Sequence, residues 1–94
     1  MALARVVSFE GVTEDRLREV GRRLEAGELP EGVPATEITV LHDPEGQRSL
    51  VIQLFETDEA YRRGEEILAA MPAEETPGQR TSVAKYEVVG RTTL

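Results

Sequence analysis

The chain has 94 residues, 39% apolar and 31% charged, with a formal net charge of −7. A chain of this size is one domain (1–94) that buries roughly 60–65% of its unfolded surface, and its composition excludes a disordered chain. With no cysteine there is no disulfide framework and no thiolate nucleophile or ligand, and the acidic balance opposes nucleic acid and anionic membrane surfaces at long range.

The opening "MALARVVSFEG" lacks a long apolar core, and no run approaches the roughly 18 apolar residues of a membrane span. The expectation is a cytoplasmic protein without a membrane partner. "LARVVSF" (3–9) is short, β-branched and aromatic, and reads as a strand. "GVTEDRLREVGRRLEAG" (11–27) reads as a helix. Thr13 can cap it, Glu14 and Asp15 suit its positive first turn, and Gly27 suits a left-handed stop. Leu17, Val20, Gly21 and Leu24 form its inner stripe, with Glu19 and Arg23 paired outside it. "ELPEGVPA" (28–35) is a loop, and "TEITVLH" (36–42) alternates as a strand. "DPEGQ" (43–47) is a hairpin turn in which Asp43 can accept from the backbone ahead and Gly46 is expected to take a positive φ. "RSLVIQLF" (48–55) is the return strand.

Thr57 and Asp58 open a second helix over 58–71, with Ala60, Tyr61, Gly64, Ile67, Leu68 and Met71 inward and Pro72 as its stop. "AEETPGQR" (73–80) is a loop, and "TSVAKYEVVG" (81–90) a last strand. The halves echo one another: Phe9 with Phe55, Thr13 with Thr57, Leu17 with Tyr61, and a mid-helix glycine in each, Gly21 and Gly64. Glycine there costs about 1 kcal/mol against alanine, and close approach of helix to sheet is the expected compensation.

The order βαββαβ with right-handed crossovers predicts an α+β, ferredoxin-like fold. Its four-stranded antiparallel sheet has the first and third strands central and two helices on one face. Period-2 alternation splits the third strand into Leu50, Ile52, Leu54 and Val51, Gln53, Phe55 without saying which set the helices cover. Helices over the first set leave Val51, Gln53 and Phe55 bare, joined by Val6, Ser8, Thr39, Leu41 and either Lys85 or Tyr86. Such a face calls for company, and a homodimer through the sheet is the economical answer. Val51, Phe55, Thr39 and Leu41 are its interface candidates.

Five side chains are candidates for a ligand pocket. His42 is the one side chain that ordinarily titrates near neutrality, and it neighbours Asp43; adjacent strand residues point to opposite faces, which favours an exposed turn histidine over a general base. Tyr61 and Tyr86 offer phenols, against the commoner reading of packing with the hydroxyl at the surface. Gln53 is a polar residue in a central apolar row and needs a hydrogen-bond partner from Thr39, Ser8, a water, a second subunit or a ligand. Arg5 can neutralise an acidic ligand or form an edge salt bridge. The paired acids at helix starts match the helix dipole rather than a metal-site spacing, and no metal or other cofactor is expected.

"ARVVSFEGVTEDRL" and "LVIQLFETDEAYRRGEEIL" resemble the dimeric α/β-barrel superfamily, most of all its antibiotic-biosynthesis-monooxygenase-like members. The resemblance covers nearly the whole chain and lies in pattern, not in a catalytic signature. It implies a bacterial protein whose dimer forms a barrel, with a cleft between sheet and helices that takes a small aromatic or apolar ligand. Any reaction it implies is a cofactor-independent, monooxygenase-like one. Haem-degrading members use Asn, Trp and His, and quinone-forming members use Tyr, Asn, Trp and Arg; this chain has no Asn, no Trp and one His. The alternative is a non-catalytic dimerisation or regulatory module that uses the sheet face for assembly.

Overall fold

A computed structural model describes residues 2–28, 32–71 and 76–94. Pro72, the expected helix stop, and the acid pair Glu74–Glu75 lie outside the described residues. The elements are β1 (Leu3–Glu10), α1 (Glu14–Glu25), β2 (Glu37–Asp43), β3 (Arg48–Phe55), α2 (Asp58–Ala69) and β4 (Gln79–Glu87). The sheet is antiparallel in the order β2-β3-β1-β4, so the expected α+β, ferredoxin-like topology holds, with β1 and β3 central. β4 starts two residues earlier than its β-branched stretch suggests, because Gln79 and Arg80 still pair with Glu10 and Phe9 across a register shift at Ser8 and Phe9.

Both helices start where their threonines indicate. The Arg16 N–H donates to Thr13 Oγ1 (3.3 Å) and the Ala60 N–H to Thr57 Oγ1 (3.1 Å), each satisfying one orphan donor of a first turn. α1 ends in a Schellman arrangement: Gly27 is left-handed (φ +77°), its N–H reaches the Leu24 carbonyl, and the Glu28 N–H reaches that of Arg23. The β2–β3 hairpin uses Asp43 as expected, its Oδ1 accepting from the Gly46 N–H at 3.2 Å. The positive φ falls on Gln47 (51°) rather than Gly46. On α1, Glu19 pairs with Arg22 at 2.6 Å, one residue short of the expected Arg23.

The helices cover the Val51, Gln53, Phe55 set, which overturns the placement of Val51 and Phe55 in a dimer interface. Phe55 is 0% exposed and Val51 8%. Phe55 packs with Leu3, Tyr61 and Leu68, and Val51 with Val7, Phe9 and Val12, flanked by Leu17 of α1. Alternation cannot decide the facing by itself. What decides it is the polar residue: Gln53 lies directly across the β1–β3 ladder from Arg5 and accepts its hydrogen bond, so its amide is satisfied inside. The opposite face carries Leu50, Ile52 and Leu54, with Val6 and Ser8 on β1 and Thr39 and Leu41 on β2 in the same phase. Tyr86, opposite Ala4, shares that bare face, while Lys85, opposite Arg5, lies on the helix side.

The two mid-helix glycines part company. A Cβ on Gly64 would sit 2.4 Å from Phe55 Cε1, so α2 approaches the sheet too closely for any side chain there. A Cβ on Gly21 would meet nothing within 4 Å, so close approach does not explain that glycine. α2 buries Tyr61, Gly64 and Leu68, and α1 buries no residue.

Candidate functional site

The side chains between α1 and the sheet leave room there. Val7 and Phe9 of β1, Val40 of β2 and Val51 of β3 form a floor, and Val20 and Leu24 of α1 with Leu68 of α2 form a roof. The cavity is partly open and measures about 100 Å³. Arg5, Gln53 and the exposed Arg80 are the polar residues in its sheet wall, and Thr76 also lines it.

Arg5 is 2% exposed, in the middle of an apolar layer. Two groups share the work of keeping it there. Glu65 of α2 accepts from Nε, and Gln53 Oε1 accepts from Nη1 at 3.0 Å. Glu65 is 39% exposed, so this ion pair has one end in the core and one at the surface. Nη2 is buried and has no hydrogen-bond partner among the described residues. A buried donor left unsatisfied costs about 1–3 kcal/mol, and more on a charged group. Gln53 thus finds a partner that the sequence reading did not name, and Arg5 forms its ion pair in a central strand rather than at an edge. The acid that completes the trio, Glu65, belongs to one of the acid pairs read as no metal site and was not a candidate for this one. Its signal was its position: one turn after Tyr61, it falls beside the inward stripe of α2.

The remaining candidates lie elsewhere. Tyr61 is buried edge-on to Phe55, with ring centroids 5.5 Å apart, and Lys85 Nζ lies 4.7 Å from its ring centroid. Burial raises the Tyr61 phenol above its ordinary 10.0, and the nearby Glu65 charge adds to the rise against Arg5 and Lys85, so it stays protonated at neutral pH. Tyr86 is 57% exposed on the bare face. His42 lines a separate, wider concavity of about 530 Å³ at the hairpin end of the sheet, with Ser8, Leu41, Leu50 and Ser82. Those four side chains belong to the bare face, so a second subunit on that face would cover the concavity. His42 therefore stands apart from Arg5 and Gln53. Asp43, its neighbour, is engaged by Arg48 at 2.7 Å. Among the described residues there is no cluster of three metal-ligating side chains, and no helix is long and apolar enough to cross a membrane.

No family model and no curated protein sequence matches the chain. Solved structures do. A protein from Chloroflexus aurantiacus assigned to the antibiotic biosynthesis monooxygenases superposes with a TM-score of 0.62 at 11% identity, covering 99% of this chain and 98% of that one. Rv0793 from Mycobacterium tuberculosis gives 0.60 at 11% identity over 99% and 100% of the two chains. A variant of MhuD with two manganese protoporphyrin IX molecules bound per active site gives 0.61 at 22% identity over 97% and 98%. The chain has the fold of the antibiotic-biosynthesis-monooxygenase-like domains from end to end.

Proposed function

We propose that this chain is a small-molecule-binding protein of the antibiotic-biosynthesis-monooxygenase-like type, with its ligand held between the sheet and α1. The observation that carries this reading is the apolar cavity beneath a helix that buries none of its residues, with a buried arginine in its wall. A filled interior would instead favour a module that serves assembly alone. The MhuD neighbour holds porphyrins in its active site, which supports ligand binding as a use of this fold. The cavity here, about 100 Å³, is smaller than the roughly 150 Å³ known to take benzene, so the first fit is one ring or a short branched chain, with α1 giving way. The reading requires no reaction.

The test is a titration of the whole chain with ethylbenzene, followed by amide shifts and by melting temperature. Expected are shifts centred on Val20, Leu24 and Val51, and a stabilisation of about 2.7 kcal/mol at a hundred times Kd. Unmoved resonances, or shifts confined to Leu41 and Leu50, would refute it.

The same reading includes a homodimer through the bare face, where Leu41, Leu50 and Tyr86 stand 47%, 39% and 57% exposed. Thr39 and Leu41 remain interface candidates there, and Leu50, Ile52 and Tyr86 replace Val51 and Phe55. A pair of such sheets would bury about 800 Å² per partner. Light scattering should return twice the mass of one chain, and Leu50→Lys should return a monomer or a concentration-dependent mixture. A monodisperse single chain in the unmutated protein would end the dimer.

A further inference from the structure

Arg5 carries more donors than the fold uses. A guanidinium has five N–H groups and accepts nothing. Nε is taken by Glu65 and Nη1 by Gln53, while Nη2, on a side chain that lines the cavity, is buried without a partner among the described residues. Because Gln53 faces a group that can only donate, its oxygen must be the atom turned to Arg5, which leaves its amide nitrogen as a further donor. Two side chains of one strand pair thus bring hydrogen-bond donors to a cavity whose remaining lining is apolar apart from Thr76 and the exposed Arg80.

From this we infer that the site reads a neutral carbonyl oxygen: the ligand is a small apolar molecule that presents one ketone, ester or amide acceptor to Arg5 Nη2. The inference rests on the binding reading above and specifies what is bound. The acceptor is neutral because the Arg5 charge is already met by Glu65. A carboxylate turned to Arg5 would bring a second negative charge to a guanidinium already paired, and the other cation of the lining, Arg80, is exposed to solvent. A carbonyl satisfies the donor without that cost. The apolar walls accept the rest of the molecule, and their small volume keeps it near one ring.

Three probes of one size separate the outcomes: acetophenone, ethylbenzene and benzoate, each titrated into the full chain and followed by amide shifts. Ethylbenzene partitions out of water more readily than acetophenone, so an undirected apolar cavity binds it tighter. The inference expects the reverse, with acetophenone favoured by about tenfold or more, as a hydrogen bond to a charged donor gives. It also expects benzoate to be the weakest of the three. In Arg5→Met the order of acetophenone and ethylbenzene should invert while ethylbenzene still binds. Should that variant not fold, the order in the native chain and a shift of the Arg5 guanidinium N–H resonance with acetophenone alone carry the same information. Ethylbenzene bound as tightly as acetophenone overturns the carbonyl assignment and leaves the cavity standing, with Glu65 or water then satisfying Nη2. Benzoate bound tightest also overturns it, in favour of an anion. Binding of none of the three overturns the cavity reading itself.

Discussion

α1 and α2 are built from nearly the same instructions and end in different situations. Each follows a strand that ends in Phe-Glu, is capped by a threonine whose hydroxyl accepts from the third residue on, carries two acids in its first turn and has a glycine near its middle. Yet α2 seats Tyr61, Gly64 and Leu68 against the sheet and α1 seats nothing fully. The difference lies in the strands. Beneath α2 stands Phe55, whose ring reaches up into the space that a Gly64 side chain would need. Beneath the later half of α1 stand Val7, Phe9, Val40 and Val51, and none of them comes within 4 Å of where a Gly21 side chain would sit. Capping chemistry sets where a helix begins; the volume of the residues under it decides how far down it sits. The cavity is the gap left beneath α1, where the facing side chains do not fill the space.

The strongest way to break that contrast is to remove the ring. Phe55→Ala should destabilise the chain by about 3–5 kcal/mol, since it leaves a hole in a layer where nothing else reaches. Urea unfolding measures it. Leu24→Ala, on the side of α1 that already meets a cavity, should cost clearly less than Phe55→Ala. Equal losses would mean that α1 is as firmly seated as α2.

The glycines sharpen the comparison because the same substitution should change sign. Gly64→Ala forces a methyl group into the Phe55 ring, which Leu3, Tyr61 and Leu68 hold in place, and should cost about 1–3 kcal/mol. Gly21→Ala meets open space and removes a flexible residue from a helix, so it should stabilise by about 0.5–1 kcal/mol. If Gly21→Ala also destabilises, α1 lies on the sheet and the cavity is closed in solution.

Much of this architecture was legible in the residues. The caps, the hairpin and the strand order all follow from local signals: threonines before acid pairs, Asp-Pro-Glu-Gly between two alternating runs, and handed crossovers. The facing of the sheet was not legible, and the reason is a single residue. Gln53 in an apolar row argues for the wetter face when read alone, and for the core once Arg5 stands opposite it with Glu65 beneath α2. Residues 5, 53 and 65 are far apart in sequence, and none of the three has a local pattern that announces the others. The same long-range trio brings Arg5 and Gln53 to the cavity, so the site was named in pieces but not as a unit. His42 and Tyr86 were named for their chemistry alone, and the fold puts both away from that cavity.

The smallest expected effect separates the two helices by their charges. Asp58, in the first turn of α2, is held below its ordinary 3.8 first by its hydrogen bond from Lys85 of β4, against desolvation, with the charges of Arg62 and Lys85 adding to the fall. Glu19 on α1 is held below its ordinary 4.5 by Arg22, a neighbour on the same helix. In both cases the folded carboxyl titrates lower than the unfolded one. Each contribution is therefore complete above the unfolded value and is lost as the pH falls through the folded one, below about pH 4. The partners differ in reach: Asp58–Lys85 ties α2 to an edge strand, and Glu19–Arg22 ties α1 only to itself. Lys85→Met should therefore flatten the loss of global stability between about pH 5 and pH 3, whereas Arg22→Met should change that profile less. Both pairs are exposed, so the difference should shrink in about 1 M salt. Urea midpoints across that pH range measure it, and identical profiles for the two variants would show that α2 gains nothing from its link to β4.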